Sequence, residues 1–528
     1  MSNIGYSISP AVRNAYRKGR EDETLPPHVL IDKAGKSLGR MRHGDAVIFY
    51  NIRGEREIEL TRCLTDPTFD KFPVEKNLSL HFATMIEYEK DLKVHVAFPP
   101  QGVIEDTLSE TIDKNHLKQV KITESEKAIH AGYFLNGKRY DALPGEERVI
   151  IPTRKDIDFF DKAPEMSIED VTKAIIEKIQ DPSYQFIFAN FPNVDVVGHI
   201  ENESAVIRAI EIVDACTGQV MDEAVRGGIT AIVTADHGTA EKWLYPDGAI
   251  DTGHTDSSVP FLLIHGQRDI ALARGGELAD IAPTILDLMG IHKPSCMTGH
   301  TLIDRDSRRS ISPSQRLLLL ILDGWGEQDD LKGNLIAKAR TPTMDRLKKA
   351  FPYTTLRASG EAVGLPEGTV GNSEAGHLHI GAGRRIYSDR VRIDRAIADK
   401  SFFENDAFDH VMRAGKNTGG ALHLLGIVSF FSSHGSISHL FALMDLAKQA
   451  DIPEVFIHVM LGRRGEMPES GANYLENIER KAREIGMGKV VSVIGRYWSM
   501  DREENWDRIE KTYRMLVYGE GIPVEERG

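Results

Sequence analysis

The sequence predicts an α/β protein of two domains, each organised on a largely parallel sheet. Three observations carry that prediction. Short apolar runs that end in polar or charged residues recur along the chain. Amphipathic segments lie between them, and alternation of this kind builds parallel sheets covered by helices. The length, 528 residues, exceeds what a single growing core accommodates.

Taken in chain order, "DAVIFYNIR", "KVHVAF", "QFIFANF", "TAIVTADHG", "VPFLLIHG", "RLLLLILDGWG", "LHLLGIVS", "EVFIHVML" and "KVVSVIGR" read as buried strands. Ser167 to Ile179 reads as a helix, with Ser167 and Asp170 as a capping-box start and Val171, Ala174 and Ile175 on one face. Ligands of open α/β sheets sit beyond the carboxyl ends of the strands. Polar residues fall there: Arg53 after "AVIFYNI", Asp236 and His237 after "TAIVTA", Asp323 after "LLLLIL" and Arg496 after "VVSVIG". The charged, serine-rich stretch Asp304 to Arg316 reads as a linker or a surface loop.

Composition narrows the function. A net charge of -14 argues against nucleic-acid and anionic-membrane partners. Cys63, Cys216 and Cys296 stand far apart without CxxC spacing, which fits buried residues in a reducing compartment. No run approaches the roughly 20 apolar residues of a membrane span. A cytoplasmic protein is expected.

Four stretches carry acids and histidines at ligand-like spacing: "NVDVVGH" with Asp195 and His199, "ADHG" with Asp236 and His237, "DTGHT" with His254, and "LDGWG" with Asp323. Each alone could be a cap or a loop contact. Together they supply donors for two metal ions, and mixed oxygen and nitrogen ligands suit manganese or zinc better than calcium or copper. Ser373 in "GNSEAGH" lies outside the Gly-x-Ser-x-Gly elbow pattern, so a metal rather than a histidine base would have to activate it. The bland alternative is a helix-start turn with Ser373 as N-cap. Arginines that follow apolar runs, Arg53, Arg56, Arg463, Arg464, Arg496 and Arg502, are candidate anion forks or solvated salt-bridge partners.

"LDGWG", "GNSEAGHLHIGAGR", "TESEK", "LPGEER", "NVDVVGH", "TADHGTAE", "GHTDSSVPF" and "IGRYWSMDRE" together resemble the blocks of the cofactor-independent phosphoglycerate mutases, in the alkaline phosphatase superfamily. The resemblance spans nearly the whole chain, in permuted order: the block that usually opens the family follows Arg316 here, and the usual closing block precedes Met297. It implies an alkaline-phosphatase-like doubly wound domain at 102–386, with a permutation linker at about 304–316. A smaller phosphotransferase domain would be assembled from 1–101 and 387–528, with hinges at "FPPQG" and "RRIYSD". Permutation is tolerable where native ends lie close together at the surface.

By the same resemblance, one metal would be held by Asp195, His199 and His254, and the other by Asp323, Ser373, Asp236 and His237. Ser373 would take the phosphoryl group and Lys127 would stabilise it. Arg53, Arg56, His434, Arg463, Arg464, Arg496 and Arg502 would hold substrate anions. Two stretches depart from the family. In "FFSSHGS", Phe430 and Ser436 replace an aspartate and a histidine; in "GRRG", Gly462 and Gly465 replace two acids, the second of which would handle the substrate proton. The implied activity is a glycolytic phosphomutase, an isomerase of the 3-phosphoglycerate to 2-phosphoglycerate type. A related phosphotransferase or phosphatase for another phosphorylated or phosphonate-bearing acid is the alternative. The implied cofactors are two divalent ions, manganese first, with zinc, cobalt or magnesium as alternatives, and no bisphosphoglycerate. A monomer acting on a small anionic phosphorylated substrate is expected.

Overall fold

The computed structural model describes residues 7–267, 269–429, 434–462 and 469–525. Two compact units divide the chain: Met1–Pro100 with Arg392–Gly528, and Gln101–Val391. The chain begins with β1 (His28–Ile31), β2 (Ala46–Phe49), β3 (His81–Ile86) and β4 (His95–Phe98). The middle contributes β5 (Gln119–Glu124), β6 (Glu146–Ile151), β7 (Phe186–Phe191), β8 (Thr230–Thr234), β9 (Val259–Ile264), β10 (Gly276–Glu277), β11 (Leu317–Leu322) and β12 (Tyr353–Arg357). The last part adds β13 (Leu422–Ile427), β14 (Val455–Leu461), β15 (Lys489–Gly495) and β16 (Ile522–Glu525).

The middle unit holds a sheet of order β10-β12-β9-β8-β11-β7-β5-β6, and the discontinuous unit one of order β16-β1-β15-β14-β13-β2-β3-β4. Pairing is parallel except at β8–β9, β9–β12 and β1–β15. The fold is α/β with two sheets. Each unit has its own core cluster, so each buries its own apolar faces.

β11 shows why these residues form these elements. All six residues of Leu317–Leu322 are buried, and the strand is paired on both sides, to β7 and to β8. A strand covered on both faces must be apolar throughout. Fully burying each leucine contributes about 1.5–3 kcal/mol, which outweighs the weak strand propensity of leucine.

Two local expectations differ from the structure. Helix Ile168–Gln180 does bury Val171 and Ile175, but Ser167 makes no side-chain cap. Its hydroxyl instead donates to Pro152 O, and its N–H donates to the Glu124 carboxylate, so the capping box does not form. The stretch Asp304 to Arg316 contains a short helix, Arg305–Ser310, because Asp304 accepts from the N–H groups of Asp306 and Ser307. Arg316 then donates to the carbonyls of Lys178, Ile179, Asp181 and Tyr184. That anchor fixes the start of β11.

Candidate metal centre

Strand direction explains why distant motifs meet in the middle unit. β5, β7, β11 and β8 are parallel neighbours, so the residues just beyond their carboxyl ends share one edge: Lys127, Asp195, Asp323, and the pair Asp236 and His237. β9 runs antiparallel to β8, which brings its leading residue His254 to the same edge. β12 reverses again, and the segment leaving it delivers Ser373. Seven expected residues thus converge, and His199, one helical turn after Asp195, makes an eighth.

Ser373 Oγ is the focus. Lys127 Nζ lies 2.6 Å away, His237 Nε2 2.9 Å and Asp323 Oδ1 3.3 Å. Lys127 Nζ also donates to Asp195 Oδ2 at 2.7 Å and to Asp323 Oδ1 at 2.9 Å. Asp195 Oδ1 faces His254 Nε2 at 3.1 Å and His199 Nε2 at 3.3 Å. His237 Nε2 stands between the acids, 3.3 Å from Asp323, 3.7 Å from Asp236 and 3.8 Å from Asp195. Most of these groups are buried; His254 is half-buried, and His199 is the most open, with 45% of its side chain exposed. Backbone carbonyls orient two of the imidazoles: His199 Nδ1 lies 2.7 Å from Thr252 O, and His254 Nδ1 lies 3.0 Å from Gly371 O.

The electrostatics follow from this packing. Burial lowers the affinity of Lys127 for its proton, but Asp323, Asp195 and Asp236 outweigh it and hold the ammonium well above the ordinary lysine range. Burial pushes Asp195 up, yet Lys127, His199 and His254 bring it well below the usual carboxylate range. Burial lowers His237, while Asp236, Asp323 and Asp195 raise it to about 10. His199 is raised by its hydrogen bond to Asp195.

Ser373 is not the cap of its helix. Asn372 is, accepting from Ala375 N, and Ser373 takes the first position of Ser373–Ala382. The glycines of "GNSEAGH" serve close approach. A Cβ at Gly376 would lie 2.6 Å from Asp236 O, and one at Gly371 would lie 3.0 Å from His237 Cβ. The helix therefore rests directly on the Asp236–His237 turn.

The centre also contains residues that spacing did not single out. His377, one helical turn after Ser373, puts Nδ1 3.2 Å from Asp236 Oδ2 and 2.9 Å from Ser373 O. Asn190, at the end of β7, donates to Asp323 Oδ2 at 2.9 Å and lies 3.3 Å from His377 Nε2. The i, i+4 spacing of Ser373 and His377 was the available signal. Ligand-type atoms gather in two groups, Asp195 with His237 and His254, and Asp236 with Asp323 and His377. Neither buried oxygen of Asp236 accepts a hydrogen bond among the described residues, a condition that suits a divalent cation.

The other unit gathers its expected residues less tightly. Arg53 and Arg502 are exposed, and both pair with Glu55, at 3.0 Å and 2.9 Å. Arg56 donates to Met500 O at 3.1 Å. Arg496 begins helix Arg496–Ser499, directly after β15. His434 is buried, with Nδ1 3.5 Å from the Glu57 carboxylate. Ser436 is the N-cap residue of helix Ile437–Gln449. Arg463, Arg464, Gly465 and Phe430 lie outside the described residues. Gly462 has φ +104°, and a Cβ there would lie 2.6 Å from Glu23 Cα. No acid fits at that position while the 22–25 segment crosses it.

Fold and site together define an α/β protein with a buried acid–histidine centre around a serine. The chain belongs to the metalloenzyme superfamily, whose sequence model matches residues 13–293. A second model, for the N-terminus of BPG-independent PGAM, matches residues 393–527. Among similar proteins, the 2,3-bisphosphoglycerate-independent phosphoglycerate mutase of Acaryochloris marina is 39% identical over 306 residues, 56% of each chain. That of Desulforudis audaxviator is 48% identical over 212 residues, 40% of this chain and 42% of its own. The chain thus spans about half the length, or less, of the curated relatives it matches. A solved structure of Leishmania mexicana phosphoglycerate mutase at low cobalt concentration is 30% identical, with TM-score 0.36, over 52% of this chain and 53% of that one. The family and the two ligand groups both point to divalent metal.

Proposed function

We propose that this protein is a metal-dependent phosphomutase. It moves a phosphoryl group between hydroxyls of a small acid, of the 3-phosphoglycerate to 2-phosphoglycerate type, through a phosphoserine at Ser373. The observation that carries this reading is the position of Ser373 Oγ, within 2.6–3.3 Å of Lys127, His237 and Asp323. The names of the relatives support the substrate class.

Asp195, His199 and His254 would hold one divalent ion, and Asp323, Ser373, Asp236 and His237 the other. Manganese is the first choice, with zinc, cobalt and magnesium behind it. When bound, such ions would lower the pKa of the serine hydroxyl and neutralise phosphoryl charge. Lys127 Nζ donates to Ser373 Oγ, which favours the deprotonated oxygen. The helix N-terminus at Ser373 adds favourable potential for an anion. In the first half-reaction a bond forms from Ser373 Oγ to phosphorus as the substrate's P–O bond breaks. In the second, the other hydroxyl of the acid attacks the phosphoserine and frees Ser373. Arg53, Arg56, His434, Arg496 and Arg502, with Arg463 and Arg464, would retain the acid's anionic groups between the two. The middle region 102–386 would be the metal-binding domain, and 1–101 with 387–528 the phosphotransferase domain. The position of the N-terminus match near the end of this chain supports the permuted order, with 304–316 as the join. The protein would act as a monomer in the cytoplasm, without bisphosphoglycerate.

The test is a coupled assay on 3-phosphoglycerate with manganese present and bisphosphoglycerate absent, with inorganic phosphate followed in parallel. Formation of 2-phosphoglycerate is expected. Phosphate release without isomer would replace the mutase with a phosphatase, and no turnover by metal-loaded protein would sink the glycerate substrate.

A further inference from the structure

Beside the ligand residues lies a buried carboxylate that none of the roles above uses. Glu241 sits in the short turn Ala240–Lys242 and is only 1% exposed. Its Oε2 accepts the Thr239 N–H at 3.0 Å, and its Oε1 accepts the Thr255 hydroxyl. The same carboxylate fills the space beside Gly238 and Gly326, where any Cβ would overlap it. These contacts come from three different loops. Gly238 and Thr239 follow the Asp236–His237 pair, Thr255 follows His254, and Gly326 closes the turn that begins at Asp323.

From two of these partners the links reach the ligand residues themselves. Thr239 Oγ1 lies 3.4 Å from Asp195 Oδ1 and 3.5 Å from His237 Nδ1. Thr255 N donates to Gly238 O at 3.0 Å, and Thr255 O accepts from Gly371 N at 3.2 Å, just ahead of Asn372 and Ser373. Both Glu241 oxygens are thus committed to threonines rather than turned toward the centre.

We propose that Glu241 is a positioning residue of the metal centre: one buried carboxylate holds three ligand loops in register. The inference rests on the reading that the centre binds divalent metal. Metal ligands must be held to within about 0.5 Å, and partners behind them typically change metal affinity by about 10–100-fold.

The experiment is a manganese titration of the metal-stripped full-length protein, by calorimetry, with the thermal midpoint of each variant measured beside it. Glu241→Ala should bind manganese about 10–100-fold more weakly. Thr255→Val, which removes one partner, should lose about tenfold. Glu241→Gln should lose least, because its amide can accept from Thr239 N–H and donate to the Thr255 hydroxyl. Asp214→Asn is the control for general destabilisation. Asp214 is buried and accepts from the N–H groups of Thr343 and Met344 at 2.9 Å and 2.8 Å, so its variant should lower the thermal midpoint and leave manganese affinity unchanged. Wild-type affinity in Glu241→Ala overturns the proposal. Should that variant not fold, wild-type affinity in Thr255→Val does so. An equal loss in Asp214→Asn also overturns it, because the effect would then be general. Wild-type protein that binds manganese but does not interconvert phosphoglycerates defeats the mutase reading and leaves Glu241 tested; wild-type protein that binds none defeats both.

Discussion

The two units hold their expected site residues in opposite settings. In Gln101–Val391, Lys127, Asp195, Asp236, His237 and Asp323 are buried and meet one another at hydrogen-bond or ion-pair distance. In the discontinuous unit, Arg53 and Arg502 are exposed and share the exposed Glu55. Removing one member of a buried charge set strands the others, at a cost of about 3–5 kcal/mol. An exposed pair is worth about 0–1 kcal/mol and can exchange Glu55 for another anion. The difference divides the proposed roles by setting: the groups proposed to do chemistry are over-determined by their neighbours, whereas Arg53 and Arg502, proposed to hold substrate, are paired loosely enough to let go.

That contrast can be broken most decisively at Ser373. Ser373→Ala should reduce phosphoryl transfer by at least about a thousandfold, because it deletes the attacking oxygen while leaving the acids in place. Activity close to wild type would remove the covalent mechanism. Lys127→Met should come next, with a loss in kcat of about 100–1,000-fold, the usual scale for removing one preorganised donor from a transition state. Arg502→Ala and Arg53→Ala should instead raise KM by about tenfold with kcat changed much less, since exposed cations contribute mainly to uniform binding. Steady-state kinetics of the four variants separate the two patterns, and a kcat-dominated loss at Arg53 would erase the distinction between the units.

Much of this was legible in the sequence where burial dictates composition. Nine apolar runs became nine strands, eight of them buried because a strand covered on both faces has little choice of residue, as β11 shows; "KVHVAF" instead became β4, an edge strand on which only Ala97 is buried. Asp323 and Asp236 could be read at strand ends for the same reason, whereas Lys127 follows β5, a strand that no apolar run announced, and its role came only from the family resemblance. The reversed direction of β9 was not legible, since buried parallel and antiparallel strands have similar composition, and that reversal delivers His254 to the centre while β12, running with the majority again, leads to Ser373. His377 and Asn190 were passed over because a histidine or an asparagine beside an apolar run usually satisfies the core. Gly462 shows a different limit. Its left-handed backbone answers to Glu23, far away in sequence, and no local pattern announces that crossing.

The smallest effect sharpens the comparison in the unit that lacks the metal centre. There a buried chain of side chains crosses the sheet: Asp45 Oδ2 lies 3.1 Å from His423 Nε2, His423 Nδ1 lies 2.9 Å from His458 Nε2, and His458 Nδ1 lies 2.7 Å from Ser492 Oγ. One set of neutral tautomers satisfies every atom, with Ser492 donating to His458, His458 to His423 and His423 to Asp45. Burial, with His423 alongside, holds His458 well below the ordinary histidine range, and burial also lowers His28. The unfolded chain therefore binds protons below about pH 6.5 that the folded chain refuses. With more protons bound in the unfolded state, stability must fall as pH drops, by at most about 1.4 kcal/mol per pH unit for each such histidine. Trp498 and Trp506 lie in this unit and Trp243 and Trp325 in the other, so a Trp243→Phe, Trp325→Phe protein reports this unit alone by fluorescence. Its urea midpoint should decline from pH 7 to pH 5, and His458→Gln, which cannot titrate, should flatten that decline. A slope unchanged by the substitution would mean that the chain accepts a proton without unfolding, its hydrogen bonds reversing direction so that His423 donates to both neighbours.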